Sequence, residues 1–245
     1  MSLTKTQLDT YSKEGFLTVE KLFSLSEMDQ AIKEAHQWQE EFLQDMSESD
    51  KKWYQDGTTA IPNQVRKLDN PVSQRPFFRR LALKPELISS VEVLIGKDVI
   101  AFFSQLFFKP PLGGGPKPSH QDNFYFGPDK DDNTVTAWIA FDDARVENGC
   151  LYYGKGSNHG GVIKHFAPEN EPYNYQIADL QSIEMTAAPV EKGGVNFHHG
   201  NTVHRSSNNS SPTWRRAMAV HFMQKEVNLI APIFEYDRSH FIEMF

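Results

Sequence analysis

One cysteine, Cys150, is all the thiol in the 245 residues of this chain. That excludes an intrachain disulfide framework and any zinc site of the Cys-x-x-Cys kind, and it suits a reducing compartment. Basic charge is also scarce: 25 Lys and Arg stand against 32 Asp and Glu, a net charge of -7. General nucleic-acid binding needs a basic face to neutralise phosphates, so no nucleic-acid partner is expected. No run approaches the roughly 20 apolar residues that cross a bilayer. The opening Met1-Ser2-Leu3-Thr4-Lys5-Thr6-Gln7 has no apolar signal segment. A soluble cytoplasmic protein without a membrane partner is the expectation. Internal repeats and low-complexity tracts are absent too. What is plentiful is core material: 39% of residues are hydrophobic, and 18 are Phe. The length suits one large domain as readily as two small ones.

Local signals divide the chain into a helical part and a strand-rich part. Thr4-Lys5-Thr6-Gln7 has the form of a capping box and Gly15 that of a helix terminator, with a strand expected over 16–20. A second capping box, Ser24-Leu25-Ser26-Glu27, opens a helix whose apolar residues Met28, Ile32, Ala35, Trp38 and Phe42 recur near a 3.6 period. The polar stretch 44–63 reads as a surface loop or lid. Pro85 and Gly96 bracket another helix. Strands are expected over 99–108, through His120, and over 134–141, 150–153, 162–166, 182–187, 195–198 and 216–223. Helices followed by many short strands make the pattern of an α+β fold or a helix-decorated β-barrel. One domain over 1–245 is expected, with helical support and lid over 1–98, barrel core over 99–225 and a C-terminal extension over 226–245. The loop 110–116 is rich in Gly and Pro, but no Gly-Lys-Ser/Thr or helix follows it, so it reads as a hinge and not a phosphate cradle.

The chemistry centres on Ser119-His120-Gln121-Asp122-Asn123-Phe124-Tyr125-Phe126. Side chains alternate along a strand, so His120 and Asp122 project from one face and Gln121 from the other. A third ligand must come from elsewhere, and His204 is favoured, 82 residues after Asp122. Two His and one carboxylate with open positions make the facial triad of non-haem Fe(II) oxygenases. His198 or His199 is the alternative third ligand, disfavoured because Gly200-Asn201 reads as a turn between that pair and His204. His36, His159, His165, His221 and His240 have no carboxylate at strand spacing and read as structural or surface histidines. Asp142, Asp143 and Glu147 read as a solvated turn. Arg215 follows His204 by eleven residues. A hairpin through 208–212 would bring both to one pocket, where a guanidinium matches the distal carboxylate of 2-oxoglutarate. Alternation turns Arg216 to the other face.

Taken in order, these residues make the chain resemble the phytanoyl-CoA dioxygenase family of Fe(II)/2-oxoglutarate oxygenases. The likeness runs from Tyr11-Ser12-Lys13-Glu14-Gly15-Phe16-Leu17 through His120-Gln121-Asp122 and Ala137-Trp138-Ile139-Ala140-Phe141. It continues through Glu147-Asn148-Gly149-Cys150-Leu151 and Gly156-Ser157-Asn158-His159 to His204-Arg205-Ser206 and Arg215. Gly154-Lys155-Gly156-Ser157 departs from the family's Pro before Gly-Ser. The resemblance implies a mainly β fold with flanking helices, a double-stranded β-helix of the jelly-roll, cupin-like kind. It implies a dioxygenase using Fe(II), 2-oxoglutarate and O2, hydroxylating an unactivated C–H of a small or medium-sized metabolite and releasing succinate and CO2. His120, Asp122 and His204 would hold the iron, and Arg215 with Ser206 the distal carboxylate. Trp138 would line the cosubstrate pocket, Gln105 would touch it from the preceding strand, and Arg66 would stand near it. Asp122, where related halogenases have a small residue, favours hydroxylation, desaturation or ring closure over halogenation. The rival readings are a cupin-like metalloenzyme that does not use 2-oxoglutarate, and an acyl-CoA hydroxylase. Neither the substrate nor the oligomeric state is legible.

Overall fold

The structure, a computed structural model, describes residues 3–44, 46–48, 51, 54, 61, 64–169, 174–180 and 183–244. Helix α1 (Lys5–Glu14) starts where the sequence says it should: Gln7 N–H donates to Thr4 Oγ1 at 3.3 Å, and the helix stops at Gly15, φ 80°. Strand β1 (Phe16–Val19) follows. Helix α2 (Leu25–Gln44) is capped by the second box, with Ser24 N–H donating to Glu27 Oε2 at 2.7 Å. It buries Met28, Ala35 and Trp38, while Ile32 and Phe42 sit half-buried at the edge of the stripe. Most of the expected lid, 45–63, lies outside the described residues.

Strand β2 (Lys67–Asp69), α3 (Pro71–Gln74) and α4 (Pro76–Ala82) had no counterpart in the sequence reading. Both helices are too short for a periodic pattern and each begins on a proline, which tolerates the first turn. Helix α5 (Pro85–Ile95) ends at Gly96 as expected. Then come β3 (Val99–Lys109), β4 (Lys117–His120), α6 (Asp122–Phe126), β5 (Thr134–Ala140), β6 (Leu151–Gly154), β7 (His165–Phe166), β8 (Gln176–Ile177), β9 (Met185–Ala188), β10 (Val195–His199), β11 (His204–Ser206), β12 (Arg215–Gln224) and β13 (Ile242–Glu243).

The strands form a separate two-stranded sheet, β7-β8, and two large facing sheets. The larger runs β1-β10-β5-β12-β3-β13, with β2 also on β3; the smaller runs β4-β11-β6-β9. Alternation sorts the larger sheet's two faces. Val135, Ala137, Ile139, Val195, Phe197, Met218, Val220 and Phe222 pack outward against the helices in one core. Burying each of the larger of these side chains is worth about 1.5–3 kcal/mol. Trp138, Ala140, Ala217 and Ala219 point inward and meet Leu151, Tyr153 and Ala188 of the smaller sheet. This is a jelly roll with helices on one flank, and among the described residues no ladder joins the two sheets into a closed barrel.

Candidate metal and cosubstrate site

His120 ends β4, and its Cα partner on the neighbouring strand is His204, which begins β11. The two imidazole centroids are 4.1 Å apart. The chain does not stay extended beyond Gln121, as the sequence reading had it. Asp122 is instead the first residue of α6. Gln121 is anchored on three sides: its Nε2 donates to Gly161 O at 2.8 Å and Asn201 O at 2.6 Å, and its Oε1 accepts from Ile163 N–H at 2.7 Å. Asn123 N–H then turns to Gly200 O, and Gly127 closes the helical turn at φ 54°. His120 and Asp122 still share a side, because Gln121 itself is extended.

His120, Asp122 and His204 are buried, and their ligand atoms lie within 4.8 Å of one another. Asp122 Oδ1 is 3.9 Å from His120 Nε2 and 3.7 Å from His204 Nε2. Each imidazole is turned by a backbone carbonyl. His120 Nδ1 lies 2.8 Å from Pro118 O and His204 Nδ1 3.0 Å from Thr202 O. A carbonyl only accepts, so both Nδ1 atoms carry the proton and both Nε2 lone pairs face the carboxylate oxygen. Burial holds the His120 pKa well below that of an ordinary histidine, and it lowers that of His204 to about 4. Burial acts to raise the Asp122 pKa, but the imidazoles of His204, His221 and His198 outweigh it and keep the carboxyl ionised. Neutral imidazoles and an anionic oxygen are the protonation states a divalent metal needs.

The other oxygen of Asp122 is occupied. Thr136 Oγ1 donates to Oδ2 at 2.6 Å, His198 Nε2 donates to it at 3.0 Å, and His221 Nδ1 lies 3.5 Å away. These three residues are lateral neighbours across β10, β5 and β12, His198 beside Thr136 and Thr136 beside His221. Tyr153 OH, 3.0 Å from His198 Nδ1, completes the His198 ring. With its Nε2–H committed to Asp122, His198 has no lone pair to offer there, which removes it as the rival third ligand. His221, read from the sequence as lacking a carboxylate, faces Asp122. The missed signal was parity. Thr136 lies two residues from the inward-pointing Trp138, and His221 six from Arg215, so both share the inner face.

Arg215 is 3% exposed, and its guanidinium carbon lies 5.3 Å from the Trp138 ring centroid. Its Nε is buried without a hydrogen-bond partner, and among the described residues no carboxylate pairs with it. Burial pulls its pKa down to about 10. Arg216, on the opposite face, donates through Nε and Nη2 to Asp142 at 2.7 and 2.8 Å, so that turn is not merely solvated. The expected hairpin between His204 and Arg215 does not form. β11 belongs to the smaller sheet and β12 to the larger, and Asn209 pins the crossing by donating to Lys109 O, Pro110 O and Thr213 O. Ser206 is buried two residues beyond His204 on the same face of β11. Gln105 is Cα partner to the inward-facing Ala219 and donates to Asp69 at 2.8 Å. Arg66 is exposed, just before β2.

The phytanoyl-CoA dioxygenase (PhyH) profile matches residues 11–217, most of the chain. The chain belongs to this family. Among curated relatives, a human protein named "Phytanoyl-CoA dioxygenase, peroxisomal" is 30% identical over 174 residues, 68% of this chain and 51% of that one. A zebrafish (Danio rerio) "Phytanoyl-CoA dioxygenase domain-containing protein 1" is 29% identical over 164 residues, 64% of this chain and 56% of its own. The chain thus spans about half the length of these curated relatives. A solved structure described as the non-heme alpha ketoglutarate dependent carbocyclase SnoK from nogalamycin biosynthesis superposes with a TM-score of 0.72 at 25% identity. It covers 94% of this chain and 88% of that one. In this phytanoyl-CoA dioxygenase family chain, the triad, Trp138, Ser206 and Arg215 fall within the matched residues, whereas His221 and everything after it fall outside.

Proposed function

We propose that the protein is an Fe(II)- and 2-oxoglutarate-dependent oxygenase that hydroxylates an unactivated C–H of a small or medium-sized metabolite, with release of succinate and CO2. The observation that carries this reading is the buried guanidinium of Arg215, with no carboxylate partner among the described residues, on the inner face of β12, the face that also sets His221 beside Asp122 of the His120-Asp122-His204 triad. A buried charge without a partner is expensive, and it persists where a ligand supplies the counter-charge. The ring beneath that guanidinium, Trp138, stands two residues along β5 from Thr136, which holds Asp122. Two strand residues span about 6.7 Å, roughly the length of a five-carbon diacid. Ala217 and Ala219 present only methyl groups between Arg215 and His221, and the diacid would lie over them.

The donor set fits iron. Two neutral imidazole nitrogens and one carboxylate oxygen suit a non-haem ferrous ion with open positions. Asp122 would bind through Oδ1 alone, because Oδ2 is already taken by Thr136 and His198. Ferrous iron with 2-oxoglutarate and O2 would supply the oxidising chemistry. The residues of the chain do the rest. Arg215, with Ser206, binds the distal carboxylate; His198 and Thr136 hold Asp122 in place; the inward aromatic rings exclude water. An intact Asp122 leaves no position for a halide, which favours hydroxylation. The names of the curated relatives support a second reading, an acyl-CoA as substrate.

Succinate release tests the proposal. Purified protein, incubated with Fe(II), ascorbate, O2 and 2-oxoglutarate across a metabolite panel, should release succinate only when all of them are present. His204→Ala and Arg215→Ala should abolish the release. Activity that persists without 2-oxoglutarate would establish the cupin-like alternative.

A further inference from the structure

Residues beyond 217, where the family match ends, supply part of the wall beside the triad. His221 is 5% exposed. Thr136 has one hydroxyl proton and gives it to the Asp122 carboxylate, so it must accept from His221 Nδ1–H at 2.7 Å. His221 Nε2 is then a lone pair, and it is buried without a hydrogen-bond partner. Buried acceptors of this kind are rare unless a water or ligand completes them. The His221 ring stacks on Phe103, with centroids 5.5 Å apart, and meets Phe126 edge-on at 4.9 Å.

Tyr236 packs on those same two rings, at 5.3 Å from Phe103 and 5.4 Å from Phe126. It is carried there by the C-terminal segment, which is bonded to the end of the helix that carries Asp122. Ile230 N–H donates to Gly127 O at 2.8 Å and Ile233 N–H to Tyr125 O at 2.9 Å. The fit is close at Gly127, where a Cβ would stand 2.3 Å from the Ala231 carbonyl. Phe234 stacks on Tyr125 at 5.9 Å. Phe103, Tyr125, Phe234 and Tyr236 are only half-buried, so they border open space and not a sealed core. No hydrogen bond joins the Tyr236 hydroxyl to a described residue. Burial first, then Asp122, Tyr125 and Asp69, push its pKa up. It stays a neutral phenol, and an anion placed beside it would meet the same carboxylates.

We propose that His221 Nε2 and the Tyr236 hydroxyl are the specificity-determining pair of the substrate pocket, and that they bind a ring-shaped substrate through a neutral hydroxyl group. A lone pair on His221 needs a donor, and a phenol both donates and accepts. A carboxylate cannot donate to that lone pair, whereas a hydroxyl donates to His221 and accepts from the phenol, using the donor and the acceptor of the pair at once. Aromatic walls favour a flat ring by offset and edge-on stacking. Only the word substrate rests on the oxygenase reading; the binding pair stands on its own geometry.

Phenol and toluene share a ring and differ in the hydroxyl, so they are the probes. Each is titrated into the full chain, loaded with Zn(II) and 2-oxoglutarate, by ligand-observed NMR. Phenol should bind about tenfold more tightly than toluene. Tyr236→Phe, with its fold checked by thermal melting, should bring the two within about twofold. Equal binding of the two by the wild type would overturn the proposal. So would a preference unchanged in Tyr236→Phe, or no binding of either up to about 10 mM. Should that variant not fold, intermolecular NOEs from phenol to Tyr236 and Phe103 in the wild type decide, and their absence overturns it. Loss of the Fe(II)/2-oxoglutarate absorption band with the phenol preference intact would sink the oxygenase reading alone, and the reverse result would sink this one alone.

Discussion

Asp122 Oδ2 accepts from Thr136 Oγ1 at 2.6 Å, and this bond fixes which carboxylate oxygen is left for a metal. Together with the His198 donor at 3.0 Å it ties one oxygen to the larger sheet and leaves Oδ1 opposite the two Nε2 atoms. Partners that orient a metal ligand are typically worth 10- to 100-fold in affinity. His198→Leu should therefore weaken Zn(II) or Fe(II) binding by about that factor, and Thr136→Val should act in the same direction. Competition with a chelator of known affinity measures it. Unchanged metal affinity in both variants would mean that the ledge under Asp122 is only packing.

Arg215 separates folding from binding. Among the described residues, no carboxylate pairs with its buried guanidinium. Arg215→Met should stabilise the apoprotein by about 1–3 kcal/mol in urea denaturation, since it removes an uncompensated charge and keeps the volume. The same variant should lose about 2–5 kcal/mol of 2-oxoglutarate binding while holding metal as before. A destabilised apoprotein with undiminished 2-oxoglutarate affinity would contradict both halves.

Small side chains along the proposed cosubstrate path give a steric test. Ala219 lies between its Cα partners Trp138 and Gln105 on the inner face of the larger sheet. Ala219→Leu should weaken 2-oxoglutarate binding by more than about tenfold and cost about 1–3 kcal/mol of stability through overpacking. Metal affinity should be spared. Calorimetric titration of 2-oxoglutarate into the Zn(II)-loaded variant reads this directly, and wild-type affinity would show that the diacid lies elsewhere.

The buried histidines set the acid limit of the apoprotein. His204 titrates at about 4, and burial lowers His120 in the same direction. An unfolded histidine titrates near 6.5. Above about pH 6.5 their contribution to stability is fully present. As pH falls from there toward 4, the unfolded chain takes up protons that the folded rings refuse, so stability falls by about 1.4 kcal/mol per pH unit for each histidine. His36, His165 and His199 are also lowered by burial and add to the slope with the same sign. Urea midpoints between pH 7.5 and 5 should show the loss, and His204→Asn should make it shallower. A flat profile would contradict the burial of these rings.

Much of the fold was readable because its signals are local. Both capping boxes, Pro85, Gly96 and the β-branched or aromatic runs of β3, β5, β10 and β12 declare themselves within a few residues. Two things were not. The turn into α6 at Asp122 is made by tertiary partners of Gln121 and Asn123 that lie about 40 and 80 residues away, which no local pattern carries. The crossing between β11 and β12 looked like a hairpin, because sequence spacing does not say which sheet a strand joins. That His120, Asp122 and His204 gather was legible from residue type and spacing. Thr136, His198 and His221 were not, because their role is defined by lateral register across three strands. Arg66 was carried over by resemblance alone, and the structure leaves it exposed.

The most direct measurement is an anaerobic titration of 2-oxoglutarate into the Fe(II)-loaded protein, followed in the visible spectrum. The account predicts a weak charge-transfer band that saturates at one 2-oxoglutarate per chain, is absent in His204→Ala and requires far more 2-oxoglutarate in Arg215→Met. A band that survives His204→Ala, or that saturates identically without the Arg215 guanidinium, would contradict it.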